Sequence, residues 1–175
     1  MGHPVLRERA RALGRAEITS PVVQKLIDDM IETMVEYNGV GLAAPQVHEG
    51  VRLFVATLDT SEVPESGTVE PLAIVNPEIQ IIGRDVLDDW EGCLSIPDIR
   101  GRVPRARQIV LRALDRRGDP IEIAVHGFPA RVIQHETDHL DGVLFFDRMR
   151  SFESLTFLEE HGRYHGRDEE EDDRN

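Results

Sequence analysis

The chain has 175 residues and one cysteine, Cys93. No internal disulfide is possible, and a reducing compartment is expected. No apolar run approaches the ~20 residues that a membrane-spanning helix needs. The opening Met1-Gly2-His3-Pro4-Val5-Leu6-Arg7 lacks the apolar stretch of a secretory signal. Basic residues are in the minority: 20 Lys and Arg against 33 Asp and Glu, a formal net charge of −13. Such a surface repels phosphate backbones and argues against DNA as a partner. These absences point to a cytoplasmic protein that neither enters a membrane nor binds DNA. Part of the charge is local. Asp168 to Asp173 are consecutive acids between Arg167 and Arg174, and residues 167–175 read as a solvated, disordered tail.

What is present is ordinary for a folded domain: 40% hydrophobic and 30% charged residues. Residues 1–166 are long enough for one domain with its own core. Ser20-Pro21 is a helix start, with serine as N-cap and proline in the first turn. Val22, Val23, Leu26, Ile27, Met30, Ile31, Met34 and Val35 follow at helical spacing until Asn38-Gly39 stops them, so a helix is expected over 21–37. Val51–Leu58, Leu72–Asn76, Ile79–Ile82, Gln108–Asp115 and Pro120–Val125 have the short, branched-aliphatic texture of strands. The last two flank Arg116-Arg117-Gly118-Asp119, a hairpin loop. Few helices separate the strands, so antiparallel pairing is expected. Thr60–Glu70 reads as a polar loop, Pro129 to Gly142 as a second helix, and Ser151–Glu160 as a short third helix carrying Phe152, Leu155 and Leu158 inward. The expected architecture is a single α+β domain of mainly antiparallel sheets around the Pro129–Gly142 helix.

That central helix carries His135-Glu136-Thr137-Asp138-His139, an HExxH pattern. Residues four apart share a helix face, so both imidazoles can reach one metal ion, with Glu136 beside a metal-held water. Val132 lies on the same side, and burying two imidazoles there without a partner would cost several kcal/mol. The alternative is two solvent-facing histidines on an amphipathic helix. Two histidines leave a tetrahedral site one protein ligand short. Glu159 or Glu160, about twenty residues on, could supply it, as could Cys93, whose thiolate a metal would stabilise. Asp138 would support the site or pair with an arginine such as Arg105. His3, His48, His126, His161 and His165 fit no ligand spacing and read as surface residues.

Three segments go further together. Gly39-Val40-Gly41-Leu42-Ala43-Ala44-Pro45-Gln46, Glu91-Gly92-Cys93-Leu94-Ser95 and Gln134-His135-Glu136-Thr137-Asp138-His139-Leu140 resemble, in order and spacing, the signature motifs of the peptide deformylases. Pro4 to Arg7, Ile96-Pro97, Arg100 to Arg105, Gly142 to Phe145 and Asp147-Arg148 are similar to the same family, so the likeness covers nearly the whole chain. The acidic tail is not a family feature. The resemblance implies Cys93, His135 and His139 as metal ligands, with Fe(II) in the cell and zinc, nickel or cobalt able to substitute. It implies a metal-bound hydroxide attacking the formyl carbonyl, Glu136 as general base and acid, and Gln46 with the Leu94 N–H as oxyanion donors. Val40, Gly41, Leu94 and Val132 would line the methionine pocket, with Arg131 at its rim. Arg100 would contact the peptide, a plain surface arginine being the other reading. The expected substrates are N-formylmethionyl nascent peptides, handled by a monomer in transient contact with the ribosome.

Overall fold

The structure, a computed structural model, describes residues 1–58 and 70–165. The expected Thr60–Glu70 loop, apart from Glu70, and the acidic tail lie outside the described residues. The chain starts with a short 3-10 turn at Pro4–Arg7 and a one-turn helix α1 (Arg15–Ile18), then enters α2 (Pro21–Glu36). Ser20 Oγ accepts from the Val23 N–H at 3.3 Å, the cap expected from Ser-Pro. Asn38, at φ 53°, ends the helix in the left-handed conformation that asparagine tolerates.

Strands β1 (Gly41–Ala43), β2 (Leu53–Ala56) and β3 (Leu72–Ile81) follow. The two strands expected at 72–76 and 79–82 are one. Pro77 is accommodated by a register shift between Val75 and Glu78, and the Asn76 side chain there holds both the N–H and the C=O of Leu13. Strands β4 (Val86–Cys93) and β5 (Ile96–Ala106) form a long hairpin that the sequence pattern did not reveal. Strands β6 (Gln108–Leu114) and β7 (Pro120–His126) are the expected hairpin, and the Asp115 carboxylate accepts from the Arg117 and Asp119 N–H groups in its loop.

Helix α3 (Gly127–Leu140) begins two residues before Pro129. Gly127, at φ 63°, turns the chain straight from β7 into the helix. Pro129 then sits in the first turn, where no intrahelical N–H bond is lost. Helix α4 (Phe145–Arg148), a 3-10 turn at Phe152–Ser154, strand β8 (Thr156–Phe157) and helix α5 (Leu158–Tyr164) complete the described chain. The single helix expected over Ser151–Glu160 is therefore replaced by turn, strand and helix. Two residues pair with the edge of β5 instead, and Phe152, Leu155 and Leu158 remain exposed.

One sheet runs β1-β2-β3-β6-β7 and the other β4-β5-β8, and every strand pairing in them is antiparallel. The five-stranded sheet is covered on both faces. Leu53, Val55 and Val75 meet Ile27, Met30 and Met34 of α2. Phe54, Ile74, Ile109 and Leu111 meet Ile133 and Leu140 of α3. Strand alternation thus sends neighbouring residues of β2 into two cores. Val103, Ile96 and Cys93 pack with Leu144 and Phe145 in a third. Helix α3 is buried on nearly all sides, as expected for the central helix. No helix among the described residues is long and apolar enough to cross a membrane.

The C-terminal end of α3 depends on Gly142. The Val143 N–H reaches the Asp138 C=O (2.9 Å) and the Gly142 N–H the His139 C=O (3.3 Å), with Gly142 at φ 74°. A Cβ there would meet backbone atoms of Arg7 at 2.7 Å. Gly142→Ala should therefore destabilise the protein by about 1–3 kcal/mol, read as a lower urea midpoint at unchanged slope. An unaltered midpoint would contradict this account of the cap.

Candidate active site

Helix α3 aims His135, Glu136 and His139 at the turn between β4 and β5. A register shift between Gly92 and Cys93 points the cysteine toward the helix. One ligand atom from each of Cys93, His135 and His139 lies within 4.8 Å of the others, and Cys93 Sγ is 3.2 Å from His139 Nε2. All three are shielded: Cys93 is 8% and His139 1% exposed. Thiolate plus two imidazoles is a tetrahedral donor set with one position left open, a set that suits zinc or iron. Glu159 and Glu160 are not part of it. They pair with Arg163 on α5, which removes them as ligand candidates.

Glu91 orients the first histidine. His135 Nδ1 lies 2.9 Å from Glu91 Oε2, leaving the other ring nitrogen for a metal. The same carboxylate accepts from Arg105 Nε (2.9 Å) and Nη2 (3.0 Å) and from Arg131 Nη1 (2.7 Å). Burial would raise the Glu91 pKa, but the hydrogen bonds from His135 and Arg105 outweigh it and hold the carboxyl at about 2. Burial likewise works against a charged His135, yet its contacts with Cys93 and Glu91 and the nearby Glu136 raise its pKa to about 10. Glu91 thus calls for positive charge at His135, which a proton or a metal cation can supply. His139, desolvated and near both His135 and Arg105, is pushed the other way and stays neutral, the form that ligates.

Asp138 faces away from the cluster, accepting from Arg105 Nη1 (2.5 Å) and Arg148 Nη2 (2.6 Å), the arginine pairing expected for it. Arg131, expected at the pocket rim, is 4% exposed. It also donates to the carbonyls of Leu87 (2.7 Å) and Val103 (2.9 Å), tying α3 to β4 and β5.

Glu136 is buried by α3's position against β1. A Cβ on Gly41 would lie 2.5 Å from Glu136 Oε1, so only glycine permits this approach. Burial raises its carboxyl to about 7, and Oε2 has no hydrogen-bond partner among the described residues. A desolvated oxygen beside three ligand atoms fits a site that holds a water on a cation. Gln46 stands opposite. Its Oε1 accepts from the Ala43 N–H (2.7 Å), which fixes the amide so that Nε2 faces Cys93 Sγ (3.6 Å) and Ser95 Oγ (3.3 Å).

A cleft of about 530 Å³ opens over this cluster. Val40, Gly41, Leu94, Arg100 and Val132 all line it, with Gln46, Cys93, His135 and Glu136. Val132 is buried, whereas Val40 and Leu94 are 45% and 42% exposed and form the mouth. Arg100 lies over Gly92 and is half-buried rather than a free surface residue. The structure adds Trp90, Glu91, Phe128 and Leu158 to the lining. Glu91 had a readable signal, since a ligating imidazole needs an acceptor on its second nitrogen; the other three had none. Of the histidines expected at the surface, His161 is buried, its ring edge-on to Trp90 at 4.5 Å. An indole available on β4 draws that face of α5 inward.

The family model described as "Polypeptide deformylase" matches residues 1–154. Peptide deformylase 2 of Nostoc sp. is 44% identical over 152 residues, covering 86% of this chain and 84% of that protein. Peptide deformylase 1 of Prochlorococcus marinus is 42% identical over 162 residues, covering 91% and 83%. The class I type b peptide deformylase from Acinetobacter baumannii, solved with Met-Ala-Ser bound, superposes with a TM-score of 0.77 at 38% identity, over 85% of this chain and 94% of that one. The peptide deformylase of Thermotoga maritima gives 0.76 at 41%, over 86% and 95%.

Glu91→Gln removes the charge that orients His135. It should weaken cobalt or zinc binding about 10–100-fold in a chelator competition. Equal affinity in the variant and the parent would show that Glu91 serves folding only.

Proposed function

The chain belongs to the polypeptide deformylase family, and we propose that the cleft over Cys93, His135 and His139 is where it performs that family's reaction. The reaction is hydrolytic removal of the N-formyl group from the N-terminal methionine of newly made polypeptides, with release of formate. One observation carries this placement: three donor atoms within 4.8 Å of one another, beside a buried Glu136 oxygen that no group among the described residues satisfies.

In this reading Cys93, His135 and His139 hold the metal, taken as Fe(II), with zinc, nickel or cobalt able to replace it. A divalent cation held by these residues would lower the pKa of a water to about 7 and so supply a nucleophile near neutral pH. Glu136, itself near 7, is placed to accept a proton at its buried Oε2 and to return it to the departing amine. Gln46 Nε2 and the Leu94 backbone N–H donate to the oxygen that becomes charged as the formyl carbon turns tetrahedral. The Ala43 bond that fixes the Gln46 amide means little reorganisation is needed at that moment.

Shape supplies the choice of acyl group. Gly41 against Glu136 and the flanking Cys93 leave room for the lone hydrogen of a formyl carbon better than for a methyl. Val40, Gly41, Leu94 and Val132 enclose the methionine side chain, and Arg100 meets the peptide beyond it. The relative that holds Met-Ala-Ser supports a peptide of that length. The protein acts as a monomer in the cytoplasm, in transient contact with the ribosome, because formylated N-termini emerge there. We take residues 1–166 as the catalytic domain, with no part in the chemistry for the acidic run 167–175.

Protein prepared anaerobically with iron, or reconstituted with nickel, should release formate from formyl-Met-Ala-Ser. Glu136→Ala should retain its metal while kcat/KM falls about 10²–10⁴-fold. Cys93→Ala should lose the metal as well. Metal loss in the Glu136 variant, or full activity in the Cys93 variant, would break the division of roles.

A further inference from the structure

One wall of the cleft comes from outside the three motifs. Past Ser154, where the family match ends, the chain folds back. Strand β8 pairs with β5 at Ile99↔Phe157 and Arg100↔Thr156. Leu158, the first residue of α5, thereby joins Trp90, Pro97 and Arg100 in the cleft lining. One turn later His161 is buried against the Trp90 ring, at 4.5 Å and 77° between planes, and His165 stands 5.0 Å from the same ring. Helix α5 therefore does two things at once. It contributes an apolar side chain to the cleft, and it fixes the indole that forms the rest of that wall.

Distance says which part of a substrate this wall meets. Trp90 precedes Cys93 by three residues on β4, roughly 10 Å at the rise of an extended strand. A formyl-peptide with its formyl carbon at the Cys93–His135–His139 cluster, running extended along the cleft, reaches that far with its second and third residues. Leu158 and Trp90 offer those residues an aliphatic and an aromatic surface. Of the two arginines that line the cleft among the described residues, Arg131 is bound to Glu91 and to the Leu87 and Val103 carbonyls, and Arg100 donates through Nη1 to the Ile99 carbonyl at 3.2 Å.

We propose that Thr156–His165 is a specificity element. Together with Trp90 it forms an apolar wall that selects formyl-peptides with aliphatic or aromatic side chains at the two positions after formyl-Met. This rests on the deformylase reading of the site. The wall binds ground state and transition state alike, so its contribution lies in KM rather than kcat.

The test compares kcat/KM for formyl-Met-Leu-Phe and formyl-Met-Ala-Ser in the full-length, metal-loaded protein. The parent should favour formyl-Met-Leu-Phe. In Leu158→Ala the ratio should fall about three- to tenfold, the size expected for losing a few buried methylenes, and the change should appear in KM. Leu158 is 40% exposed, so the variant should keep the parent's urea midpoint. His161→Ala, which frees the indole while leaving Leu158 in place, should lower the same ratio. Formate released with the parent's ratio in both variants overturns the wall and leaves the deformylase assignment intact. No formate from either peptide in the parent overturns that assignment, and this inference with it.

Discussion

The buried carboxylate of Glu91 is the constraint on which the site depends. It lies on β4, is gripped in parallel by Arg105 from β5, is capped by Arg131 from α3, and holds the ring of His135 one turn further along that helix. Each of its oxygens thus has two partners, close to the capacity of a carboxylate. Removing one member of such a buried set leaves an uncompensated charge and costs about 3–5 kcal/mol. The hairpin and the helix cannot shift against each other without breaking this set. The separation between Cys93 on the hairpin and the histidines on the helix follows from it. Asp138 extends the network outward through Arg105 to Arg148, so the ions behind the ligand cluster are neutralised in pairs rather than stranded.

A second constraint is space. The five-stranded sheet is covered by α2 on one face and α3 on the other, which buries β2 completely and leaves no slack behind the HExxH helix. On the other side of that helix Glu136 occupies the space a side chain at position 41 would need, so Gly41 has no room for a Cβ. The Glu136 carboxyl is therefore desolvated by tight packing rather than by distance from solvent, since the cleft opens beside it. The same packing raises its pKa toward neutrality, where a carboxyl group can both take and return a proton.

Legibility along the chain followed how much each element relies on apolar burial. Helix α2 was readable because Ile27, Met30 and Met34 recur at helical spacing behind a Ser-Pro start, and the β6–β7 hairpin because Asp115 to Asp119 is turn chemistry between apolar strands. The β4–β5 hairpin was not. Asp88, Asp89, Glu91, Arg100, Arg102 and Arg105, with Pro97 and Pro104, do not look like paired strands. Their pairing is stabilised by ions that meet only across the hairpin and against α3. The segment after Ser151 misled for a related reason. Its apolar spacing suits a helix, but the open edge of β5 captured Thr156 and Phe157, and Trp90 drew His161 inward.

What the amino-acid order determined alone is the chemistry available: two imidazoles on one helix face, a carboxylate beside them, one cysteine, and a glutamine ending Gly-Leu-Ala-Ala-Pro-Gln. Those are matters of residue type and of spacing within a single element, which the 3.6-residue helical repeat converts into direction. The three motifs, through the family they resemble, had already set Cys93 ahead of Glu159 and Glu160 as the third ligand candidate. The orientation that Glu91 imposes on His135 was decided in tertiary structure, as were the contact of Gly41 with Glu136 and the wall formed by Leu158 and Trp90. Each joins residues tens of positions apart on different elements. Their distances depend on how β4, β5, α3 and α5 pack together, and no local periodicity encodes that.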